Sequence, residues 1–499
     1  MMDIPGLLAQ PLTRAGAIPL HRQIYERVRR AVLQGQLAPG QRVASARALA
    51  SQLGLARGTV DTAYAQLSVE GWLEPLGQKG TRVSLDVRRT AVRAPAAREP
   101  RIAPRDDGLP SPPLPFQMGM PAFDAFPRKL WASIGARRVR AVGIDDLAYP
   151  DPRGSPRLRR AIAAYLLLSR GVDCDPDQVF VTAGHRASLD LVLRLLVRPG
   201  ERVCIEDPYY PAALELVRGA GARAGFVPVD GDGLRVDRLV ARHGDARLAL
   251  VTPAHQAPLG VSMTLARRMA LLAWAGANEA WILEDDYDSE FRYVGAPLPA
   301  LRSADPAGRV LYAGSFSKVL HPGLGLAYLV VPASQVRAFT QHVARSGNGC
   351  STLQQALVAD FMELGHFPRH IRKMRMLYAR RRQWLVEALQ AAFGSQVQVD
   401  LQAGGMHLLA RFPRHGADAE LADKAQARGL AAQALSRRSS GTHAGQGLLL
   451  GFTNIGSQDE AHALASRLRS ALGNAASTGP ARGARTGARA ARRERGVSR

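Results

Sequence analysis

Cysteine is scarce. Cys174, Cys204 and Cys350 are spread through 499 residues with no metal-ligand spacing among them, which argues against a disulfide framework and against a zinc site and leaves ordinary reduced thiols. Long apolar runs are missing as well: no stretch approaches the ~20 residues of a membrane span. The opening "MMDIPGLLAQPLTRAGAIPL" is broken by Pro5, Pro11 and Arg14, so it joins no charged start to an apolar core and a cleavage site. A cytoplasmic protein with no membrane partner is expected. Acidic side chains are in deficit, 42 Asp plus Glu against 66 Lys plus Arg, for a formal charge of +24. That surplus marks either an acidic partner, nucleic acid first, or the arginine-rich surfaces of a high-GC proteome. The motifs must choose.

An apolar content of 46% is that of a globular chain, and the length asks for two or three domains. Composition divides it into an amino-terminal extension (1–18), a charged segment of helical pattern (19–84), a Pro/Ala/Arg-rich linker (85–115), a long segment alternating strand-like and helix-like runs (116–472) and a basic low-complexity tail (473–499). After Pro480 the tail carries seven arginines and one glutamate, the pattern of a solvated end.

In the first folded segment, "HRQIYERVRRAVLQGQLAPG" puts Ile24, Val28, Ala31 and Val32 on one helical face. "SARALASQLG" reads as a second helix, capped by Ser45 and ended by Gly54. "LARGTVDTAYAQLSVEGW" reads as a third, with Val60, Ala63, Tyr64 and Leu67 inward. Two short helices about a tight turn make a helix-turn-helix. "WLEPLGQKGTRVS" continues as two short strands about a Gly77–Gly80 tip, a wing bearing Lys79 and Arg82.

These residues resemble the GntR-type winged helix, a small α domain with a β wing. The resemblance implies that double-stranded operator DNA is the partner. The recognition helix would present Arg57, Thr59 and Thr62 to the major groove, with Arg47, Lys79 and Arg82 on phosphates. The chain departs from the family pattern in three places. "ASAR" stands where Pro-Ser-Ser-Arg is usual, Ala56 stands where a serine would cap the recognition helix, and Asp61 fills a slot that is often basic.

In the long segment, "RVCIEDP", "LALVTPA", "AWILEDD" and "RVLYAGS" are apolar runs closed by polar or small residues. Helical patterns such as "SPRLRRAIAAYLLLSRG" and "ASLDLVLRLLVRPG" lie between and before them. The alternation predicts an α/β sheet, whose ligands bind beyond the carboxyl ends of its strands. Lys318, closing "RVLYAGSFSK", stands between two apolar runs. A lysine there needs a partner or a chemical task.

"YPDPRGSPRLRRAIAAYL", "VTAGHRASLDL", "EDPYYPAAL", "VTPAHQAPLG", "ILEDDYDSEFRY" and "GSFSK" resemble, in order, the motifs of fold-type I pyridoxal-phosphate enzymes, the aminotransferase fold. Behind a winged helix they resemble the MocR/GabR-like regulators. The resemblance implies pyridoxal 5'-phosphate as cofactor, with Lys318 as the amine that joins it. Asp285 would pair with the pyridine nitrogen, with Asp286 as its rival on the opposite strand face. Tyr287 would lie at the phenolic oxygen and Tyr210, preferred to Tyr209, against the ring. His255 and Gln256 lie in the cofactor-facing loop, either one able to reach the ring. Phosphate would rest on the helix start at Gly184 and His185, with the hydroxyls of Ser315 and Ser317. The family's phosphate arginine, seven residues past the lysine, is replaced here by Gly325; either Arg186 substitutes for it, the expected arrangement, or the phosphate site is weakened and Arg186 points to solvent. No metal is implied. A homodimeric regulator sensing a small amine, an amino acid or the cofactor itself is the favoured reading. An active aminotransferase fused to a DNA-binding domain competes with it, but "GQGLLLGFTNI" lacks the arginine such enzymes use for the substrate carboxylate. Arg437 and Arg438 are the nearest candidates.

Overall fold

The computed structural model describes residues 12–13, 18–77, 80–87, 113–346, 349–441 and 444–473, divided into two units, Met1–Gly108 and Leu109–Arg499. Lys79, most of the linker and nearly all of the basic tail lie outside the described residues.

In the first unit, helix α1 (Leu20–Leu33) buries Ile24, Tyr25, Val28, Ala31 and Val32. Strand β1 (Arg42–Val43) leads into α2 (Ala46–Leu53), where Ser45 Oγ accepts from the Ala48 N–H at 3.2 Å and Gly54 closes the helix with φ +62°. That left-handed cap is what glycine supplies without strain. Helix α3 (Arg57–Val69) starts without a side-chain cap, as Ala56 requires, and buries Val60, Ala63, Tyr64 and Leu67. Strands β2 (Leu73–Pro75) and β3 (Thr81–Val83) form the wing, and the three strands lie in the order β1-β3-β2. The short β1 is an element that the sequence pattern did not announce.

The second unit is built on an eight-stranded sheet: β4 (Val179–Thr182), β5 (Arg202–Asp207), β6 (Arg223–Asp230), β7 (Gly233–Leu234), β8 (Leu248–Val251), β9 (Trp281–Asp286), β10 (Val310–Ser315) and β11 (Ala327–Val330), in the order β4-β11-β10-β9-β8-β5-β6-β7. Strands β10, β9, β8, β5 and β6 are mutually parallel, while β11 runs against both its neighbours and β7 turns back on β6. Helices α4 (Arg128–Arg140), α5 (Pro156–Arg170), α6 (His185–Leu196), α7 (Pro211–Gly219), α8 (Val236–His243) and α9 (Leu265–Ala277) connect and flank them. One face packs Phe180, Leu189, Val192 and Leu329 together; another cluster joins Val227, Leu239, Leu271, Trp274 and Ile282. Parallel strands covered on both sides read as continuous apolar runs, which is why "LALV" and "WIL" carry no alternation.

A single helical turn, α10 (Phe316–Val319), leaves the end of β10, and α11 (Val336–Ser346), α12 (Thr352–Glu363) and the 28-residue α13 (His366–Phe393) lead to a second sheet. Its strands β12 (Gln398–Asp400), β13 (His407–Arg411), β14 (Gln433–Ala434) and β15 (Leu448–Gly451) are antiparallel, ordered β12-β13-β15-β14, with α14 (Asp418–Gln426) and α15 (Gln458–Leu472) beside them. Leu385, Leu389 and Phe393 of α13 share one core with Leu464 and Leu468 of α15. Each such side chain taken from water contributes about 1.5–3 kcal/mol before entropy is counted.

Candidate functional site

Parallel pairing sets Ala313 of β10 opposite Asp285 of β9, so the chain leaving β10 lies beside the acid near the end of β9. The Ser315 hydroxyl accepts from the Ser317 N–H at 3.2 Å and turns the chain into α10, while buried Phe316 and Val319 anchor that turn. Lys318 is thereby held over the strand ends. Its Nζ donates to the Gly119 carbonyl at 2.8 Å. Gly119 has φ +71°, and a Cβ there would come 2.7 Å from Nζ, so this close approach calls for glycine. Burial lowers the Lys318 pKa, opposed by the carboxylates of Asp288 and Asp285.

The neighbouring acids of β9 separate as strand geometry demands. Asp285 Oδ2 lies 3.2 Å from His185 Nε2, on the side of Lys318, and burial raises its pKa against the pull of His185. Asp286 faces the other way, pairing with Arg170 Nε at 2.9 Å and accepting from the Tyr312 hydroxyl at 2.7 Å. Asp285 is thus the acid of the cavity, and Asp286 belongs to a buried ion pair. Tyr287 is half-buried, with its hydroxyl 3.1 Å from His255 Nδ1, and the same nitrogen is 2.8 Å from Asp288 Oδ1. Gln256 instead ties loops together, donating to Pro208 O at 2.9 Å, Ala257 O at 2.8 Å and Glu206 Oε2 at 3.3 Å. Glu206 also accepts from the Thr252 hydroxyl, and burial pushes its pKa up to about 7.

A cavity opens beside these groups, lined by His185, Tyr210, Glu206, Thr252, Ala257 and Asp285. Tyr210 stands at the start of α7 with its ring centroid 6.2 Å from that of His185. Tyr209 packs on Phe226 and donates its N–H to Arg438 O at 2.7 Å. Helix α6 begins at Gly184, φ +98°, so the N–H groups of its first turn and the positive end of its dipole mark an anion seat. Arg186 is otherwise placed than expected: its guanidinium is 3.8 Å from Glu215 of α7 and the side chain is 65% exposed. An opposite charge on the next helix draws it to the surface. Gly325, φ +60°, has open space where a Cβ would stand. At the other end, Arg437 pairs with Asp423 at 2.7 Å on the surface, whereas Arg438 lies beside Tyr210, Tyr287 and Tyr209, its pKa lowered by burial. Sequence reasoning gave no role to Gly119, Asp288, Glu206 or the His185 side chain; none carries a local signal.

In the first unit Arg47 and Thr62 are exposed and Thr59 is half-buried. Arg57 is exposed and 3.2 Å from Asp61, one turn on. The Thr62 hydroxyl donates to Gly58 O. Arg82 is held across the wing by Glu74 at 2.7 Å, which ties up the charge expected on phosphate.

A half-buried lysine beyond the carboxyl ends of a mostly parallel sheet, flanked by carboxylates and set beside a cavity that holds a tyrosine and a helix start, defines a pyridoxal-phosphate site of the aminotransferase fold. The residues present fit that cofactor: Lys318 would meet its aldehyde, Asp285 its pyridine nitrogen, and the N–H groups at the start of α6, with the hydroxyls of Ser315 and Ser317, would hold its phosphate. Bound there, the cofactor supplies electrophilic carbonyl chemistry toward amines. Residues 135–442 match the family "Aminotransferase class I and II", and residues 20–83 match "Bacterial regulatory proteins, gntR family". The probable rhizopine catabolism regulatory protein MocR of Rhizobium meliloti is 38% identical over 456 residues, covering 89% of this chain and 92% of that protein. The HTH-type pyridoxine biosynthesis transcriptional regulator PdxR of Corynebacterium glutamicum is 36% identical, covering 88% and 92%. Among solved structures, LysN, the α-aminoadipate aminotransferase of Thermus thermophilus, superposes with a TM-score of 0.65 at 28% identity, over 72% of this chain and 92% of that one. The chain belongs to the MocR-type family of transcriptional regulators, a GntR-type DNA-binding domain joined to an aminotransferase-like domain that takes pyridoxal phosphate. No helix among the described residues is long and apolar enough to cross a membrane.

Proposed function

We propose that this regulator works in the cytoplasm as a homodimer on an operator with two half-sites, and that the Lys318 site senses a small amine or amino acid, or the cofactor itself. The observation that carries the reading is Lys318: an amine held over the strand ends, its pKa lowered by burial, beside the carboxylates of Asp288 and Asp285. Arg438 supports an amino acid as effector, since it is the arginine beside the cavity tyrosines and could take a carboxylate in a bidentate pair. Dimerisation is supported by exposed apolar residues close together in the chain from the end of α4 towards α5, Val139, Val142, Ile144, Leu147 and Tyr149, the kind of surface that marks an interface.

The test combines colour and DNA. Purified protein should absorb in the visible, Lys318→Ala should lose the band, and an amino acid that changes the band should change affinity for an operator fragment. A colourless wild type after added cofactor refutes the reading. The complete set of Lys318, Asp285, Tyr287 and Tyr210 also supports the rival, a working aminotransferase; conversion of an amino acid to its keto acid over many turnovers would establish that instead. In the DNA-binding unit, breaking the exposed Arg57–Asp61 pair costs only a few tenths of a kcal/mol, so Arg57 remains able to read a base. Arg57→Ala should weaken cognate DNA by roughly 1–3 kcal/mol more than random DNA.

A further inference from the structure

Behind Tyr287 stands a pair of groups to which cofactor binding and effector sensing give no task. His255 Nδ1 lies 2.8 Å from Asp288 Oδ1 and 3.1 Å from the Tyr287 hydroxyl. A nitrogen facing a carboxylate has to carry the hydrogen, so Nδ1–H donates to Asp288, with the tyrosine oxygen as a second acceptor. The hydrogen of Tyr287 must then point away from His255. Asp288 is buried, and its Oδ2 has no hydrogen-bond partner among the described residues, so His255 is the donor to this carboxylate. Nor can the imidazole swing aside. Gly260 and Gly405 press so closely that a Cβ on either would come within 2.9 Å of Nε2. The remaining ionisable neighbours do not compete for Nδ1. His407 of β13, its ring centroid 6.2 Å away, is bound through Nε2 to Pro258 O at 2.8 Å, and burial lowers its pKa to about 4. Lys318 feels the Asp288 and Asp285 carboxylates as charges, but its Nζ is bound to Gly119 O, and Arg438 lies beside Tyr287.

We propose that Asp288 and His255 are positioning residues for Tyr287. By holding the imidazole as the Nδ1–H tautomer they aim the tyrosine's hydroxyl hydrogen into the cavity, onto the phenolic oxygen of the cofactor, and so set how firmly the cofactor is retained. The proposal rests on the cofactor reading, but its first link is tested without cofactor. An amide at position 288 offers His255 a donor as well as an acceptor. Asp288→Asn therefore lets the imidazole become Nε2–H, and Tyr287 then turns its hydrogen back to the bare Nδ1.

Nitrogen-15 spectra of the cofactor-free protein should show His255 as Nδ1–H in the wild type and Nε2–H in Asp288→Asn. An Nε2–H wild type overturns the proposal whatever the cofactor does, while a colourless wild type overturns the cofactor reading. Titration with pyridoxal phosphate gives the second readout. Tyr287→Phe and Asp288→Asn should each weaken binding about tenfold, the worth of one hydrogen bond to a charged oxygen, and the Asp288→Asn/Tyr287→Phe double should be no weaker than either. The His255→Phe/Asp288→Asn double removes the competing acceptor and leaves no buried charge, so it should recover most of the loss and remains informative if Asp288→Asn alone does not fold. Losses that add to about a hundredfold, or a His255→Phe/Asp288→Asn protein that binds as poorly as Asp288→Asn, overturn the proposal.

Discussion

Asp285 and Asp286 are one residue apart, and replacing each by asparagine should give opposite results. Asp286 pairs with buried Arg170 at 2.9 Å and accepts from Tyr312 at 2.7 Å, and the next carboxylate to Arg170, that of Glu290, is 3.9 Å away. Removing one member of a buried pair leaves the other uncompensated, at about 3–5 kcal/mol, against a total stability of about 5–15 kcal/mol. For a unit of this size, Asp286→Asn should lower the melting temperature by roughly 5–15 °C. Asp285 is a different case. Burial raises its pKa in the fold, so its favourable share of stability is present below the unfolded carboxylate value and is lost as pH rises through the folded one. Asp285→Asn removes that loss while an amide can still meet His185. The cofactor-free variant should melt at or above wild type at pH 7, with the difference closing towards pH about 4. The same variant should alter the visible band of added cofactor, whereas Asp286→Asn, where folded, should keep it. Paired melting curves from pH about 4 to about 8, spanning the ordinary carboxylate value and neutrality, and absorption spectra decide the matter. An Asp285→Asn protein less stable than Asp286→Asn would refute the assignment of the two faces.

Gly119→Ala should strain a φ of +71° and push on Lys318 Nζ; the expected result is a stability loss of at least about 1–2 kcal/mol with slow, weak uptake of pyridoxal phosphate, and unchanged uptake would show that the Gly119 contact does not place the amine. With its guanidinium drawn to Glu215, Arg186→Ala should change cofactor affinity less than about threefold, the range of an exposed ion pair. Gly325→Arg adds a charge-assisted bond of about 1.5–3 kcal/mol to the cofactor-bound protein, so it should bind the cofactor about ten- to a hundredfold tighter, while the left-handed strain of about 1–2 kcal/mol, borne with or without cofactor, should lower the melting temperature of the cofactor-free form. A sharp loss in Arg186→Ala, rescued by Gly325→Arg, would instead establish the compensation expected from sequence. Glu206 has a folded pKa raised to about 7, so its contribution falls as pH rises from the ordinary carboxylate value through the folded one. Glu206→Gln should flatten the urea-midpoint profile between pH about 5 and about 8, and parallel profiles for the two proteins would count against a buried, titrating Glu206.

What could be read from sequence was whatever local periodicity or a strand end determines. The inward faces of α1 and α3 come from a 3.6-residue repeat, and every residue expected inward is buried. The parity of a β-strand sends Asp285 and Asp286 to opposite sides, and the hydroxyl cluster before Lys318 is what turns the chain out of β10. The missed residues share another property: each acts on a partner remote in the chain. Gly119 meets a lysine 199 positions away, and His185 meets Asp285 only because α6 starts above the end of β9. Arg82 looked free in "GTRVS" until pairing of β2 with β3 set Glu74 against it. Arg437 and Arg438 make the limit plain. As adjacent arginines in one polar loop they carry the same sequence signal, and the fold decides between them: the Tyr209 N–H holds the carbonyl of Arg438 and Gln433 Oε1 accepts from its guanidinium, which keeps that side chain beside the cavity tyrosines and leaves Arg437 to Asp423. A contact made by a main-chain group has no residue signature, so a side chain positioned in this way is visible only once the fold is known.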